Sequence, residues 1–124
     1  MTALLEQHLA RLREDGFEVE SHSQPDGWTF VIVRKYQLPE GYSKSHADML
    51  LKVPPPYPNA SLDMFWVDED LRLPNGAMPA NTTVEHYLGR NWLRFSWHPQ
   101  NWHPAKDSII TFIAFVARRL SMRN

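Results

Sequence analysis

Residues 54–58, with the sequence Pro-Pro-Pro-Tyr-Pro, constrain the fold of this chain more than any other segment. Proline fixes φ at about −65° and removes the backbone N–H donor, so this segment cannot lie inside a sheet. The segments on either side, residues 47–53 and 62–67, are rich in apolar side chains and have the length of strands. We therefore expect a rigid, extended elbow that joins two strands.

Length and composition set broad limits on the class of protein. The 124 residues suit a single domain, residues 1–124, and the absence of cysteine excludes disulfides and thiolate chemistry. A net charge of −1 indicates neither nucleic acid nor an anionic membrane as a partner. Residues 1–16 carry charges among their leucines, unlike a targeting peptide, and no apolar run is long enough to span a membrane. We expect a cytoplasmic protein without a cofactor, whose oligomeric state the sequence leaves open.

The first half of the chain predicts a helix followed by strands. Thr2 can cap a helix whose apolar face consists of Leu4, Leu5, Leu9 and Leu12. Strands are predicted at residues 17–20, 28–36, 47–53 and 62–67. The short connections between them favour an antiparallel meander, because parallel neighbours need long crossovers.

The second half predicts a long loop and a final helix. Residues 68–101 show little regularity, with one short helical turn expected at residues 84–88. Asp107 or Ser108 can cap a helix that runs to Met122. Its apolar face consists of Ile109, Phe112, Ile113, Val116 and Leu120. The predicted fold class is α+β: a helix at each end of the chain, a four-stranded antiparallel meander and a long loop.

Three motifs in this order resemble ubiquitin-conjugating enzymes. The elbow at residues 54–58 matches the family's Pro-x-x-Tyr-Pro, and residues 101–104, Asn-Trp-His-Pro, match its Trp-x-Pro before a helix. Leu73-Pro74-Asn75 is similar to the family's His-Pro-Asn turn, with leucine in place of histidine. The resemblance covers nearly the whole chain. It implies a ubiquitin-conjugating fold and gives Asn75 the family's role of stabilising an oxyanion.

The missing cysteine departs from that family, whose thioester chemistry needs a thiolate. The chain is similar to a subgroup of cysteine-less, conjugating-enzyme-like proteins from bacterial ubiquitin-like operons. Residues 92–98, Trp-Leu-Arg-Phe-Ser-Trp-His, and residues 102–107, Trp-His-Pro-Ala-Lys-Asp, match most of the subgroup's pattern. The resemblance implies a ubiquitin-like modifier, its activating enzyme and protein targets as partners.

His98 and Ser96 are the candidate catalytic residues. An imidazole can activate an amine or a hydroxyl near neutral pH, and Ser96 with His98 as its base could carry an acyl group as an oxyester. The alternative is that Ser96 caps a turn and His98 packs beside a tryptophan. Asp107 could orient an imidazole, although capping the final helix also explains it.

The second half of the chain offers two further kinds of site. A metal site would need His86, His98 and His103 to converge, and nothing in their spacing enforces that, so no metal is expected. Candidate partner-binding residues are Trp92, Arg94, Trp97 and Trp102. The alternative function is a non-catalytic adaptor that binds the modifier or its activating enzyme.

Overall fold

The computed structural model describes all 124 residues as two helices and a six-stranded sheet. In chain order the elements are α1 (Ala3–Glu14), β1 (Glu18–Ser23), β2 (Thr29–Gln37), β3 (His46–Val53), β4 (Phe65–Asp68), β5 (Thr82–Tyr87), β6 (Arg90–Phe95) and α2 (Ile109–Ser121). All neighbouring strands are antiparallel, in the spatial order β1-β2-β3-β4-β6-β5. Neither helix is long and apolar enough to cross a membrane.

The α+β class and the helix at each end are confirmed, but the prediction of four strands is wrong. The two extra strands, β5 and β6, form a hairpin inside the segment predicted as a long loop, and the helical turn expected at residues 84–88 is absent. Leu88 and Gly89 form the hairpin turn, both with positive φ, at 53° and 75°. Such turns usually carry Asn or Asp before the glycine, so a sequence with Leu88 at that position does not indicate a hairpin turn.

The two helices are capped as the sequence predicts. The Leu5 N–H donates to Thr2 Oγ1 at 3.2 Å in α1. In α2 the Ile110 N–H donates to Ser108 Oγ at 3.1 Å, and Thr111 completes a capping box. The predicted apolar faces are buried except at Leu4, which is exposed because it lies about 100° around the helix from Leu5.

The helices cover only one face of the sheet. The main core lies there, and it includes Val31, Leu51, Phe65, Leu93 and the apolar faces of α1 and α2. On the opposite face, here called the outer face, Ile32, Leu50, Trp66 and Trp92 form a second buried cluster without a helix above it. Lys52 Nζ lies 4.5–5.6 Å from the ring centres of Trp28, Phe30, Trp66 and Tyr87, which contributes cation–π attraction on this face.

The elbow joins both helices to the segment that follows β6. The hydroxyl oxygen of Tyr57 accepts from the Ile109 N–H at 2.9 Å and lies 2.6 Å from Nδ1 of His8. Burial lowers the pKa of His8, which favours the neutral imidazole, whose Nδ1 can accept from the Tyr57 hydroxyl. Trp102 Nε1 donates at 2.8 Å to the carbonyl oxygen of Pro58, the residue that follows the cis Tyr57–Pro58 bond. The elbow and the Trp-x-Pro motif, far apart in sequence, therefore fix each other and hold residues 96–107 in place.

Candidate functional site

An open groove lies between residues 96–103 and the solvent-facing side of α2. Its volume is about 880 Å³, and α2 contributes Thr111, Ala114, Phe115 and Arg118. Residues 111 to 118 extend about 10 Å along the helix, the length of roughly three residues of extended chain. This groove contains four of the residues predicted from sequence: Ser96, Trp97, His98 and Trp102.

The most specific contact at the groove is between His98 and Asp63. Nδ1 of His98 lies 2.6 Å from Oδ1 of Asp63, with the two side chains 60% and 52% exposed. A carboxylate accepts but does not donate, so the contact places a proton on Nδ1. In the neutral imidazole, Nε2 is then the nitrogen that can accept a proton, and it has no partner within the chain. The geometry provides an accessible, oriented base.

Asp63 was not among the predicted site residues, because the predicted fold lacked β6. Phe65 of β4 pairs with Phe95 of β6, so the residues just before β4 lie beside those just after β6. A correct assignment of β6 as the neighbour of β4 would have placed Asp63 near His98. The position of Asp63 beside His98 therefore follows from the β5–β6 hairpin and not from the spacing of residues along the chain.

Ser96 lies in the groove without a hydrogen bond to His98. Its backbone N–H donates to the Asn81 carbonyl at 3.0 Å, while its hydroxyl has no partner. The contact of His98 is with Asp63, so Ser96 and His98 are neighbours without forming a hydrogen-bonded pair.

Asn75 is not brought to His98. Its side-chain oxygen accepts from the Ala77 N–H at 3.0 Å, within an exposed turn. The adjacent Pro74 packs near Gly41 and Arg123, at the C-terminal end of α2. His98 instead belongs to the segment that precedes α2.

The four partner-binding candidates divide between the two faces of the sheet. Trp92 is fully buried in the outer-face cluster, where Arg94 also pairs with Glu85 at 2.8 Å. Trp97 and Trp102 lie on the helix side, at the groove. These residues therefore do not form one aromatic cluster, and only Trp97 and Trp102 contribute to the groove.

Trp97 presents a polar atom that the fold leaves unpaired. Its ring stacks on Phe115 with ring centres 6.0 Å apart, and the guanidinium of Arg119 lies 5.6 Å from the Trp97 ring centre. Nε1 of Trp97 is buried and has no hydrogen-bond partner. An unsatisfied buried donor costs about 1–3 kcal/mol, so a ligand carbonyl that reached it would relieve that cost.

His86 and Asp107 have structural contacts, and His103 takes part through its backbone. His86 Nδ1 lies 3.0 Å from Oδ1 of Asn91 on the β5–β6 hairpin. Asp107 accepts from the His103 backbone N–H at 2.7 Å and from Thr111 Oγ1 at 3.2 Å, so it closes the turn before α2 and contacts no imidazole. No group of three potential ligands is arranged to hold a metal ion.

Comparison with known proteins identifies the family of the chain. No curated protein and no solved structure shows significant similarity to it. The family model of prokaryotic E2 family E matches residues 4–123, nearly the full length, and confirms the resemblance drawn from the elbow and the Trp-x-Pro motif. The chain belongs to prokaryotic E2 family E.

Proposed function

We propose that this protein is a ubiquitin-conjugating-enzyme-like component of a bacterial modification system and promotes transfer of a ubiquitin-like modifier without a thiol. It works with an activating enzyme, and its products are modified target proteins. The observation that carries the proposal is the 2.6 Å contact between His98 and Asp63 at the rim of the groove. Membership of prokaryotic E2 family E supports the choice of partners.

The proposed chemistry uses His98 as a general base. A target amine attacks the terminal carbonyl carbon of the modifier, which the activating enzyme presents as a thioester. The C–N bond forms and the C–S bond breaks. The proton lost by the amine passes to Nε2 of His98 and then to the departing thiolate. Asp63 positions the imidazole and stabilises its positive charge during the transfer.

The groove provides a place for the extended end of the modifier. Its length along α2 suits roughly three extended residues. The exposed Arg118, on the α2 wall and without an ion-pair partner, would favour an acceptor or an anion. Nε1 of Trp97, on the facing wall, is buried in the free protein and would donate to a peptide carbonyl after a local movement of the side chains that cover it. We assign the recognition of the modifier to Trp97, Trp102 and Arg118.

Ser96 offers a covalent variant of this mechanism. Its hydroxyl is in the groove and uncommitted, so it could take the acyl group as an oxyester before the amine attacks. This route requires His98 to approach Ser96, a contact absent in the free protein. The proposal assigns no role to Asn75, because the turn that holds it packs at the other end of α2.

A non-catalytic adaptor is the second candidate function. It is favoured by the absence of any thiol and by the lack of a hydrogen bond between Ser96 and His98. In this case the groove would bind the modifier, and the His98–Asp63 pair would serve only to shape its rim.

A reconstituted reaction separates these possibilities. The protein is mixed with the activating enzyme and modifier of its operon, with ATP and a target, and the products are mapped by mass spectrometry. The transferase proposal predicts target modification that His98→Ala abolishes and His86→Ala preserves, because His86 lies outside the groove. An adduct at Ser96 that alkali or hydroxylamine cleaves would select the covalent variant. Binding of the modifier with no dependence of target modification on His98 would contradict the transferase and favour the adaptor.

A further inference from the structure

We propose that strand β5 pairs with β5 of a second copy of this chain, forming a two-fold symmetric dimer with one continuous sheet. The strand is at the edge of the sheet, since the spatial order ends β6-β5. An edge strand presents unpaired backbone N–H and C=O groups to any chain that can align with them.

The outward-facing backbone groups of β5 can be identified. Tyr87 and Arg90 flank the two-residue turn and are register partners, which makes them a hydrogen-bonded pair. Further along, the Ser96 N–H donates to the Asn81 carbonyl at 3.0 Å. Odd-numbered residues of this strand therefore bond to β6. The backbone groups of the even-numbered residues, Thr82, Val84 and His86, point away from the sheet.

The side chains on this edge are also open. Val84 is 44% exposed although it lies on the helix side of the sheet, because neither helix extends over β5. Thr83 and His86 are exposed as well. The strand is rich in β-branched residues and tyrosine, contains no proline or lysine, and thus lacks the usual protection of an exposed edge.

The opposite edge of the sheet differs in charge. Strand β1 carries two carboxylates along six residues: Glu20 pairs with Arg34, and Glu18 has no ion-pair partner. The only charged side chain of β5 is Glu85, which already accepts from Arg94 and from Nε1 of Trp66 on the outer face. Charge therefore protects the β1 edge and leaves the β5 edge able to pair.

One antiparallel register suits two identical strands. If Val84 lies opposite Val84 of the second copy, Thr82 lies opposite the second copy's His86, and all three outward-facing residues meet in hydrogen-bonded pairs. This register makes about six backbone hydrogen bonds and brings the two exposed valines together. It places Glu85 opposite Thr83, whereas a shift of one residue per strand would oppose Glu85 with itself.

Substitutions at Val84 test this interface without removing bonds inside the hairpin. Val84→Pro deletes an N–H that points away from β6, and Val84→Lys places a charge at the proposed two-fold axis. Met78→Lys is the matched control, because Met78 is also 44% exposed but lies outside β5. In sedimentation velocity over a micromolar concentration series, we expect a wild-type dimer that both Val84 variants weaken at least tenfold and the control does not.

Amide hydrogen exchange of the wild type gives a test that needs no variant. We expect exchange at Val84 and His86 to slow as protein concentration rises, while amides of the β1 edge do not change. A protein that is monomeric throughout, or a dimer unaffected by Val84→Pro and Val84→Lys, would overturn the proposal. Protection that develops only when another protein is added would also overturn it and assign the edge to that protein.

Discussion

Oδ1 of Asp63 lies 2.6 Å from Nδ1 of His98, although the two residues are 35 positions apart in the chain. The contact exists because β4 and β6 are antiparallel neighbours, which places the start of one beside the end of the other. Asp63 precedes the first of these strands and His98 follows the second. The hairpin that adds β5 and β6 to the sheet thus brings Asp63 to His98, the residue that we propose as the base.

Replacing Asp63 tests this orientation. Asp63→Asn keeps the shape of the side chain but removes its charge, so the Nδ1–H tautomer of His98 loses its preference. We expect target modification to fall about tenfold or more with little change in stability, since both side chains are more than half exposed. Nitrogen NMR shifts of the imidazole report the tautomer directly.

Asp26→Asn is the control for lost charge, because Asp26 lies in the exposed turn before β2 and caps the Trp28 N–H. Wild-type activity in Asp63→Asn, or an unchanged tautomer, would show that the carboxylate does not position His98.

The elbow gives a prediction about stability. Tyr57→Phe leaves the buried Ile109 N–H at the start of α2 without an acceptor and removes the contact with His8. We expect the free energy of unfolding to fall by about 1–3 kcal/mol in urea titrations. Tyr36→Phe is the matched control, because Tyr36 is also buried but its hydroxyl has no hydrogen bond. Equal losses in both variants would contradict the role given to Tyr57.

Two successive arginines of α2 are expected to differ sharply. Arg119 is 3% exposed and donates to the carbonyl oxygens of Ala80 and Asn124, each at 3.0 Å. Arg119→Ala should cost about 2–4 kcal/mol of unfolding free energy, because it opens a cavity and removes the hydrogen bonds that tie α2 to Ala80 and Asn124. Arg118→Ala, on the exposed side of the helix, should change it by less than about 0.5 kcal/mol. Chemical denaturation of the pair tests this, and similar values would contradict the account.

Asp48 makes stability depend on pH. Burial alone raises the pKa of its carboxyl, but hydrogen bonds from the Lys35 N–H, Arg34 and Arg90 outweigh burial and lower the pKa below its ordinary value. A carboxyl with a lowered folded-state pKa stabilises the fold fully above its unfolded-state pKa. That contribution is lost as pH falls through the folded-state value.

We therefore expect the unfolding free energy of the wild type to decline below about pH 4, and Asp48→Asn to show a smaller decline. Asp48→Asn should also cost about 1–2 kcal/mol at neutral pH, because its arginine partners lose their charge-assisted bonds. Urea titrations across this pH range measure both effects. Parallel pH profiles for the two proteins would contradict the prediction.

The parts of the fold that follow from local chemistry were predictable. The break between strands at residues 54–58, the leucine face of α1 and the cap at Ser108 each depend on residues close together in the chain. The expectation that the elbow is extended is wrong, because Tyr57 N–H donates to the Pro54 carbonyl and Asn59 N–H to the Pro56 carbonyl, which makes the segment a pair of turns. The β5–β6 hairpin was missed because the Leu88-Gly89 turn lacks the usual turn residue and β5 is largely exposed, so its apolar alternation is weak.

The candidate site was predictable only in part, for a related reason. Ser96, Trp97, His98 and Trp102 belong to one short segment, and the structure brings them to one groove. Asp63 is joined to them by strand pairing. Trp92 and Arg94 are separated from them because both lie on the outer face of β6, whereas the chain turns out of the strand after Phe95. Neither the contact of Asp63 with His98 nor the separation of Trp92 and Arg94 from the groove can be predicted unless β6 is placed correctly in the sheet.

The most direct test of His98 as a base is a single-turnover measurement. The activating enzyme is first charged with modifier, and loss of its thioester to an amine is then timed with wild type, His98→Gln or His86→Gln, with pH held constant. The account predicts that the wild type and His86→Gln accelerate transfer equally, and that His98→Gln loses about 100-fold of that acceleration. Equal acceleration by His98→Gln, or none by the wild type, would contradict the proposed function.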